Sequence, residues 1–216
     1  MLKSASAVVR LIQKSVMDDC FFLSEVNVSG FYFCPLSGKS QTAICQTLHL
    51  PLISKHPPQP PVKLTKPSKL QQIQGDGNCL FRSFSYALTG RQVYYNLLRT
   101  KITDFMSDIP HVLYPHILSS VDHYLTLHKM QNDKVWGTDI EILTASWLFQ
   151  TDIYVYSKFG YSFRWSRFSK PLFNTESNNF VEAIYLQNLH GVHYEVVLGV
   201  GTGETTVSHS ISPYIE

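Results

Sequence analysis

The chain has 216 residues, 44% of them hydrophobic and 16% charged, with a net charge of +2 when the histidines are neutral. That length and apolar content support one domain with a sizeable core plus some extra chain, and they exclude a disordered polymer. The near balance of charge gives no strong pull toward nucleic acid or an anionic membrane, and no apolar run is long enough to span a bilayer.

Residues 1–17 are basic, contain Ser4, Ser6 and Ser15, and lack acids. Arg10 and Lys14 interrupt the apolar stretch, so it does not read as a secretory signal. The pattern has a faint likeness to an organelle transit peptide. An amphipathic helix over 4–17 explains it as well, with Ala5, Val8, Val9, Ile12 and Val16 on one stripe. Residues 20–34 read as a short strand pair, and Ser40 to Leu48 as a short helix with Ala43, Ile44 and Leu48 inward. Residues 51–69 hold six of the eleven prolines, with lysines between them, and predict an extended, polyproline-like connector. The expected organisation is a small N-terminal segment (1–50), a linker (51–69), a main domain (70–200) and a flexible tail (201–216). Lys39, Lys55, Lys63, Lys66 and Lys69 are spread through the first third and read as solvated.

The main domain opens with an extended lead-in over Leu70 to Gln74. Cys79 to Leu88 predicts a helix with Leu80, Phe84, Ala87 and Leu88 on one face and Gly90 as its stop. A second helix fits Gln92 to Met106, burying Tyr95, Leu98, Ile102 and Phe105 or Met106. Pro110 and Pro115 are expected to bracket a turn, before a third helix over Ile117 to Met130. Thr138 and Glu141 form a capping box ahead of a helix that carries Ile140, Leu143, Trp147 and Leu148. The period then changes to that of strands. Asp152 to Ser157 and the alternating Tyr161, Phe163 and Trp165 predict a hairpin around Lys158-Phe159-Gly160. Ala183 to Gln187 and Val192 to Leu198 predict a second pair around Asn188–Gly191. Helices first and strands later imply an α+β fold with a mainly antiparallel sheet flanked by helices.

The four cysteines are Cys20, Cys34, Cys45 and Cys79, with no C-x-x-C spacing. A core of this size does not need disulfides, which favours a reducing, intracellular setting. Cys20, Cys34 and Cys45 lie among apolar neighbours and read as small buried hydrophobes. Cys79 differs, because it follows Gly75-Asp76-Gly77-Asn78 at a turn feeding straight into a helix. A thiol at a helix start lies beside unpaired N–H groups and the positive end of the helix dipole, and both favour thiolate over thiol. The same N–H groups can hold a negative oxygen. A buried structural cysteine remains the other reading at this point. Asp76 is suited to fixing the turn or orienting a histidine, since a carboxylate beside a thiolate would oppose its formation.

His193 lies in Gly191-Val192-His193-Tyr194-Glu195-Val196. On a strand His193 and Glu195 share one face, while Val192, Tyr194, Val196 and Leu198 share the other. A histidine beside a carboxylate suits a general base, and an exposed polar strand face suits the same pattern. His190 with His193 lacks further metal ligands, and His111, His116, His123 and His128 are spaced five, seven and five apart, which puts no two side by side on a helix. No metal or cofactor is expected.

Asp76-Gly77-Asn78-Cys79-Leu80-Phe81-Arg82-Ser83, followed by His193-Tyr194-Glu195, resembles the ovarian tumour (OTU) family of cysteine proteases. Trp136–Leu143 and Ile153–Tyr156 are similar to that family's middle portion, and the resemblance covers about residues 70–200. It implies a papain-like α+β fold and hydrolysis of the isopeptide bond at the C-terminal glycine of ubiquitin, with ubiquitin, polyubiquitin and ubiquitinated proteins as partners. It implies a cytoplasmic or nuclear setting, Cys79 as nucleophile, His193 as base and Asp76 in the catalytic set. The backbone of Gly77 and Asn78 would supply the oxyanion hole. Glu195 stands where the family often has Asn or Asp, as a possible partner orienting His193. The rival readings are an inactive ubiquitin-binding module on the same fold and a cysteine hydrolase acting on another ubiquitin-like protein. Trp136 and Tyr194 are candidate walls of the channel for the ubiquitin tail, and equally candidates for the core.

Overall fold

The computed structural model describes residues 24–25, 30–57, 59–169 and 181–201. The helix expected over 4–17, Cys20 and the tail beyond Gly201 lie outside these. The elements are β1 (Ser24–Glu25), β2 (Tyr32–Phe33), α1 (Gly38–Thr47), β3 (Val62–Lys63), β4 (Pro67–Gln71), α2 (Cys79–Thr89) and α3 (Tyr95–Asp108). They continue with α4 (Pro110–Ile117), α5 (Val121–His128), α6 (Asp139–Phe149), β5 (Asp152–Phe159), β6 (Ser162–Phe168), β7 (Ala183–Leu189) and β8 (His193–Val200). A six-stranded sheet runs β1-β6-β5-β7-β8-β4, and β2 pairs with β3 in a separate two-stranded ribbon. Every neighbouring pair in the large sheet is antiparallel except β5 and β7. The α+β class with a mainly antiparallel sheet therefore holds.

Strand alternation divides the core. Ile153, Val155, Ile184, Leu186, Tyr194 and Val196 face the helices in one large buried cluster, with Leu80, Phe84 and Leu88 of α2. Their alternates Tyr154, Ala183, Tyr185 and Val197 face the other way, against Phe33, Leu64 and Trp165. A period of two thus buries both faces of the central strands. α6 is set by its capping box, in which Thr138 and Glu141 cap each other's backbone as expected.

Several local expectations are corrected. Among the described residues of 20–34, β1 joins β6 and β2 joins β3, so these two strands do not pair with each other. The proline-rich stretch 51–69 contributes β3 and the start of β4, with Leu64 only 1% exposed. Leu36, Cys45, Leu48 and Leu50 pack in the same buried cluster as Cys79, while Ala43 and Ile44 are only half-buried. Pro110 and Pro115 lie within helix α4 rather than around a turn. Pro110 takes the first helical positions, where a missing N–H costs nothing. The chain reverses at Leu118, in the left-handed region at φ 51°, so α4 and α5 replace one long third helix. Ser120 caps α5 through the His123 N–H. The first hairpin turns at Gly160-Tyr161, one residue later than expected, since Phe159 pairs with Ser162. No described helix is long and apolar enough to cross a membrane.

Candidate active site

α2 and β8 carry the two halves of the candidate site. They are locked in register by Ser83, one turn beyond Cys79, whose buried hydroxyl donates to the Tyr194 carbonyl at 3.3 Å. β4 pairs with β8 as far as Gln71 and Val196, so the chain leaving β4 runs toward the start of β8. It brings Gly75 against His193. A Cβ added at Gly75 would stand 3.6 Å from Cε1 and 3.7 Å from Nδ1 of the imidazole. The ring therefore turns its Cε1–Nδ1 edge toward the loop that ends in Cys79. Its Nε2 lies 3.9 Å from Glu195 Oε1, close enough for an ion pair when the ring is protonated but too long for a hydrogen bond. The β7–β8 turn delivers His193, with His190 and Gly191 both at positive φ.

The loop before Cys79 is fastened on two sides. On one side Asp76 accepts the Asn78 N–H at 3.1 Å, closing an Asx turn, and is gripped by Arg82, with Nη2 at 2.5 Å and Nε at 3.1 Å. Arg82 also donates to the Gln92 carbonyl and lies 3.8 Å over the Tyr95 ring. The Gln92 side chain completes this brace by accepting the Gln74 N–H and donating to the Gln72 carbonyl. The Arg82 guanidinium holds the Asp76 carboxyl well below the usual carboxylate range. Asp76 is thus paired with Arg82 and the turn, not with His193.

On the other side the segment after α5 presses on the loop. Gly77 sits at φ 88°, and a Cβ there would come within 2.5 Å of the Lys134 carbonyl oxygen. Only glycine fits both the dihedral and the space. Asn78 Oδ1 accepts from the Lys134 N–H at 2.9 Å and from Arg99 Nη2 at 2.8 Å. Arg99 is wholly buried, lies 4.0 Å over the Phe81 ring and donates to the Met130 and Val135 carbonyls. Gly137 lets the same segment lie on Leu80 and Phe81. Cys79 begins α2 and is 8% exposed. Because the Asn78 N–H is taken by Asp76, it is not an open oxyanion donor. The Gly77 and Cys79 N–H groups find no protein acceptor among the described residues.

Trp136 is 59% exposed and Tyr194 is 8% exposed, so only the tryptophan is presented to solvent. Burial chiefly, then the nearby Asp139 carboxylate, pushes the Tyr194 hydroxyl up. Among the described residues no group of three or more His, Cys, Asp and Glu could hold a metal ion. Arg82, Gln92 and Arg99 were not singled out from the sequence. Arg99 carried a signal, since it falls at Tyr95 + 4 and Ile102 − 3, a charge on the buried stripe of α3.

The model of the family described as OTU-like cysteine protease matches residues 74–194. A curated relative from Arabidopsis thaliana, OVARIAN TUMOR DOMAIN-containing deubiquitinating enzyme 6, is 25% identical over 154 residues, or 68% of this chain. The chain spans only 29% of the length of that relative. Among solved structures, the OTU domain of OTUD1 is similar at a TM-score of 0.49 and 23% identity, over 59% of this chain and 83% of that one. An OTU deubiquitinase from Wolbachia pipientis wMel, solved bound to ubiquitin, matches at a TM-score of 0.45 and 20% identity, over 60% of this chain and 94% of that one.

Proposed function

The chain belongs to the family of OTU-like cysteine proteases, and from that premise we propose that it hydrolyses the isopeptide bond at the C-terminal glycine of ubiquitin. Cys79 is the nucleophile and His193 the general base. The observation that carries this reading is the approach of the His193 ring to Gly75, in the loop that delivers Cys79 to the start of α2. The deubiquitinating relative in Arabidopsis thaliana supports ubiquitin as the substrate class.

His193 takes the thiol proton, and the Cys79 thiolate attacks the carbonyl carbon of the terminal glycine. The open Gly77 and Cys79 N–H groups receive the tetrahedral oxyanion, in a site that is already formed before the charge develops. The carbonyl–nitrogen bond then breaks and His193 passes its proton to the leaving lysine amine. Water, deprotonated by His193, hydrolyses the thioester and restores the thiol. This route uses no metal or organic cofactor. Asp76 serves it by holding the turn through Arg82, and Glu195 by facing the far edge of the imidazole. Trp136 is an exposed aromatic within the segment that covers the loop, and is our candidate wall for the diglycine tail.

A panel of di-ubiquitins tests the proposal. The wild type is expected to release mono-ubiquitin from at least one linkage, and Cys79→Ala from none. Failure to cleave every linkage, with di-ubiquitin still bound, would favour an inert binding module.

A further inference from the structure

Asn78 occupies the N-cap of α2, where an asparagine ordinarily turns its side-chain oxygen onto the second or third N–H of its own helix. Here it does not. Its backbone sits at φ −110° and ψ 11°, away from the extended conformation of a capping residue, and no side-chain bond closes the cap. Oδ1 is taken instead by two donors from outside the helix, Arg99 Nη2 at 2.8 Å and the Lys134 N–H at 2.9 Å. Both partners are donors, so the amide is fixed with its oxygen toward them. Its Nδ2 is buried without a partner. The N–H groups of Cys79, Leu80 and Phe81 consequently find no protein acceptor among the described residues.

This arrangement is costly. Arg99 is 0% exposed and its Nε has no partner. An apolar side chain of similar size would fill the place without the desolvation of a charge. What a guanidinium supplies is direction, with bonds to Met130, Val135 and Asn78 that join three segments around one side chain. Only the bond to Asn78 reaches the loop of Cys79.

We propose that Arg99 is a positioning residue that holds Asn78 off the cap and so keeps the start of α2 open to the negative charge at Cys79. The proposal rests on the reading of Cys79 as nucleophile. It assigns the buried cation an indirect role, acting through Asn78 and touching no substrate.

Alkylation by iodoacetamide at pH 7, mapped by mass spectrometry, tests it without ubiquitin. In the wild type Cys79 is expected to react faster than Cys34 and Cys45. If it does not, the nucleophile reading fails and the proposal falls with it. Asn78→Ser and Asn78→Ala both lose the bonds to Arg99 and Lys134, but only serine can cap. The serine variant is expected to melt higher than the alanine variant, yet to alkylate at Cys79 about fivefold more slowly. Equal rates, or a faster serine variant, overturn the proposal and leave the nucleophile reading intact. Arg99→Lys is expected to slow alkylation about tenfold in the wild type and less than about twofold in the Asn78→Ala background. The same loss in both backgrounds would show that Arg99 acts through the core alone. If Arg99→Lys does not fold, the serine and alanine pair still decides.

Discussion

The loop of Cys79 and the strand of His193 are held by different means. The loop over Gln72 to Asn78 is fixed by two arginines, a glutamine and the backbone of Lys134. His193 and Glu195 instead stand at the start of β8, 22% and 13% exposed at their side chains, with a separation of 3.9 Å between them. One half of the site is tied by hydrogen bonds from several elements, and the other is placed by strand pairing and by its contact with Gly75. On the proposed mechanism, the difference teaches that the oxyanion donors lie in a loop fastened before substrate arrives, whereas the imidazole is placed by its strand. An electrostatic site gains from such fastening, because it must avoid reorganisation as charge develops.

Mutations should therefore separate the halves. The largest effect is expected for His193→Ala, which should lower kcat on ubiquitin substrates about a thousandfold and leave the melting temperature nearly unchanged. A comparable fall in melting temperature would mean that the histidine side is as firmly built in as the cysteine side. Gly77→Ala should do both kinds of damage. Its φ of 88° and the Lys134 carbonyl at 2.5 Å from a new Cβ force the loop to move. A stability cost of about 3 kcal/mol is expected by chemical denaturation, with turnover falling alongside. An alanine variant of native stability would show that the loop is not clamped.

Asp76→Asn comes next, with a cost of about 2 kcal/mol at neutral pH, because the Arg82 guanidinium loses its charged partner. Its pH dependence has a fixed sign. The Asp76 carboxyl is held below its unfolded value, chiefly by the hydrogen bond from Arg82. The wild type thus has that stabilisation in full above the unfolded pKa and loses it as the pH falls toward the folded one. The gap between wild type and Asp76→Asn should stay constant from neutrality to about pH 5 and close below about pH 4. A gap that widens in acid would contradict the ion pair. The smallest effect is expected for Glu195→Gln, within about fivefold in kcat, since 3.9 Å is beyond a hydrogen bond and the amide still presents an oxygen to the ring. A loss as deep as that of His193→Ala would make the carboxylate charge essential.

The parts legible in the sequence were those governed by local rules. The helix from Cys79, the Thr138–Glu141 capping box and the alternation of β5 to β8 follow from short-range periodicity and side-chain capping. So did the shared face of His193 and Glu195, with Tyr194 and Val196 turned into the helix-side core. What was missed depends on tertiary contact. β1 and β2 are two residues long and take partners far along the chain, which no local pattern announces. α4 contains two prolines and still forms: Pro110 begins it, and Pro115 lies inside it at the loss of one backbone hydrogen bond. The proline-rich stretch read as a connector because its apolar residues are few, but Leu64 is buried and β3 and β4 pair with distant strands. The clamps on the cysteine loop were hidden for the same reason, since Arg82 reads as ordinary helix surface and Arg99 only as a charge on a buried stripe until their partners are known.

The most direct measurement is the reaction of the chain with ubiquitin bearing an electrophile at its C-terminus, read by intact mass and peptide mapping. The account predicts one covalent adduct, on Cys79, absent in Cys79→Ala and formed far more slowly in His193→Ala. No adduct, an adduct on Cys34 or Cys45, or full labelling of His193→Ala would contradict it.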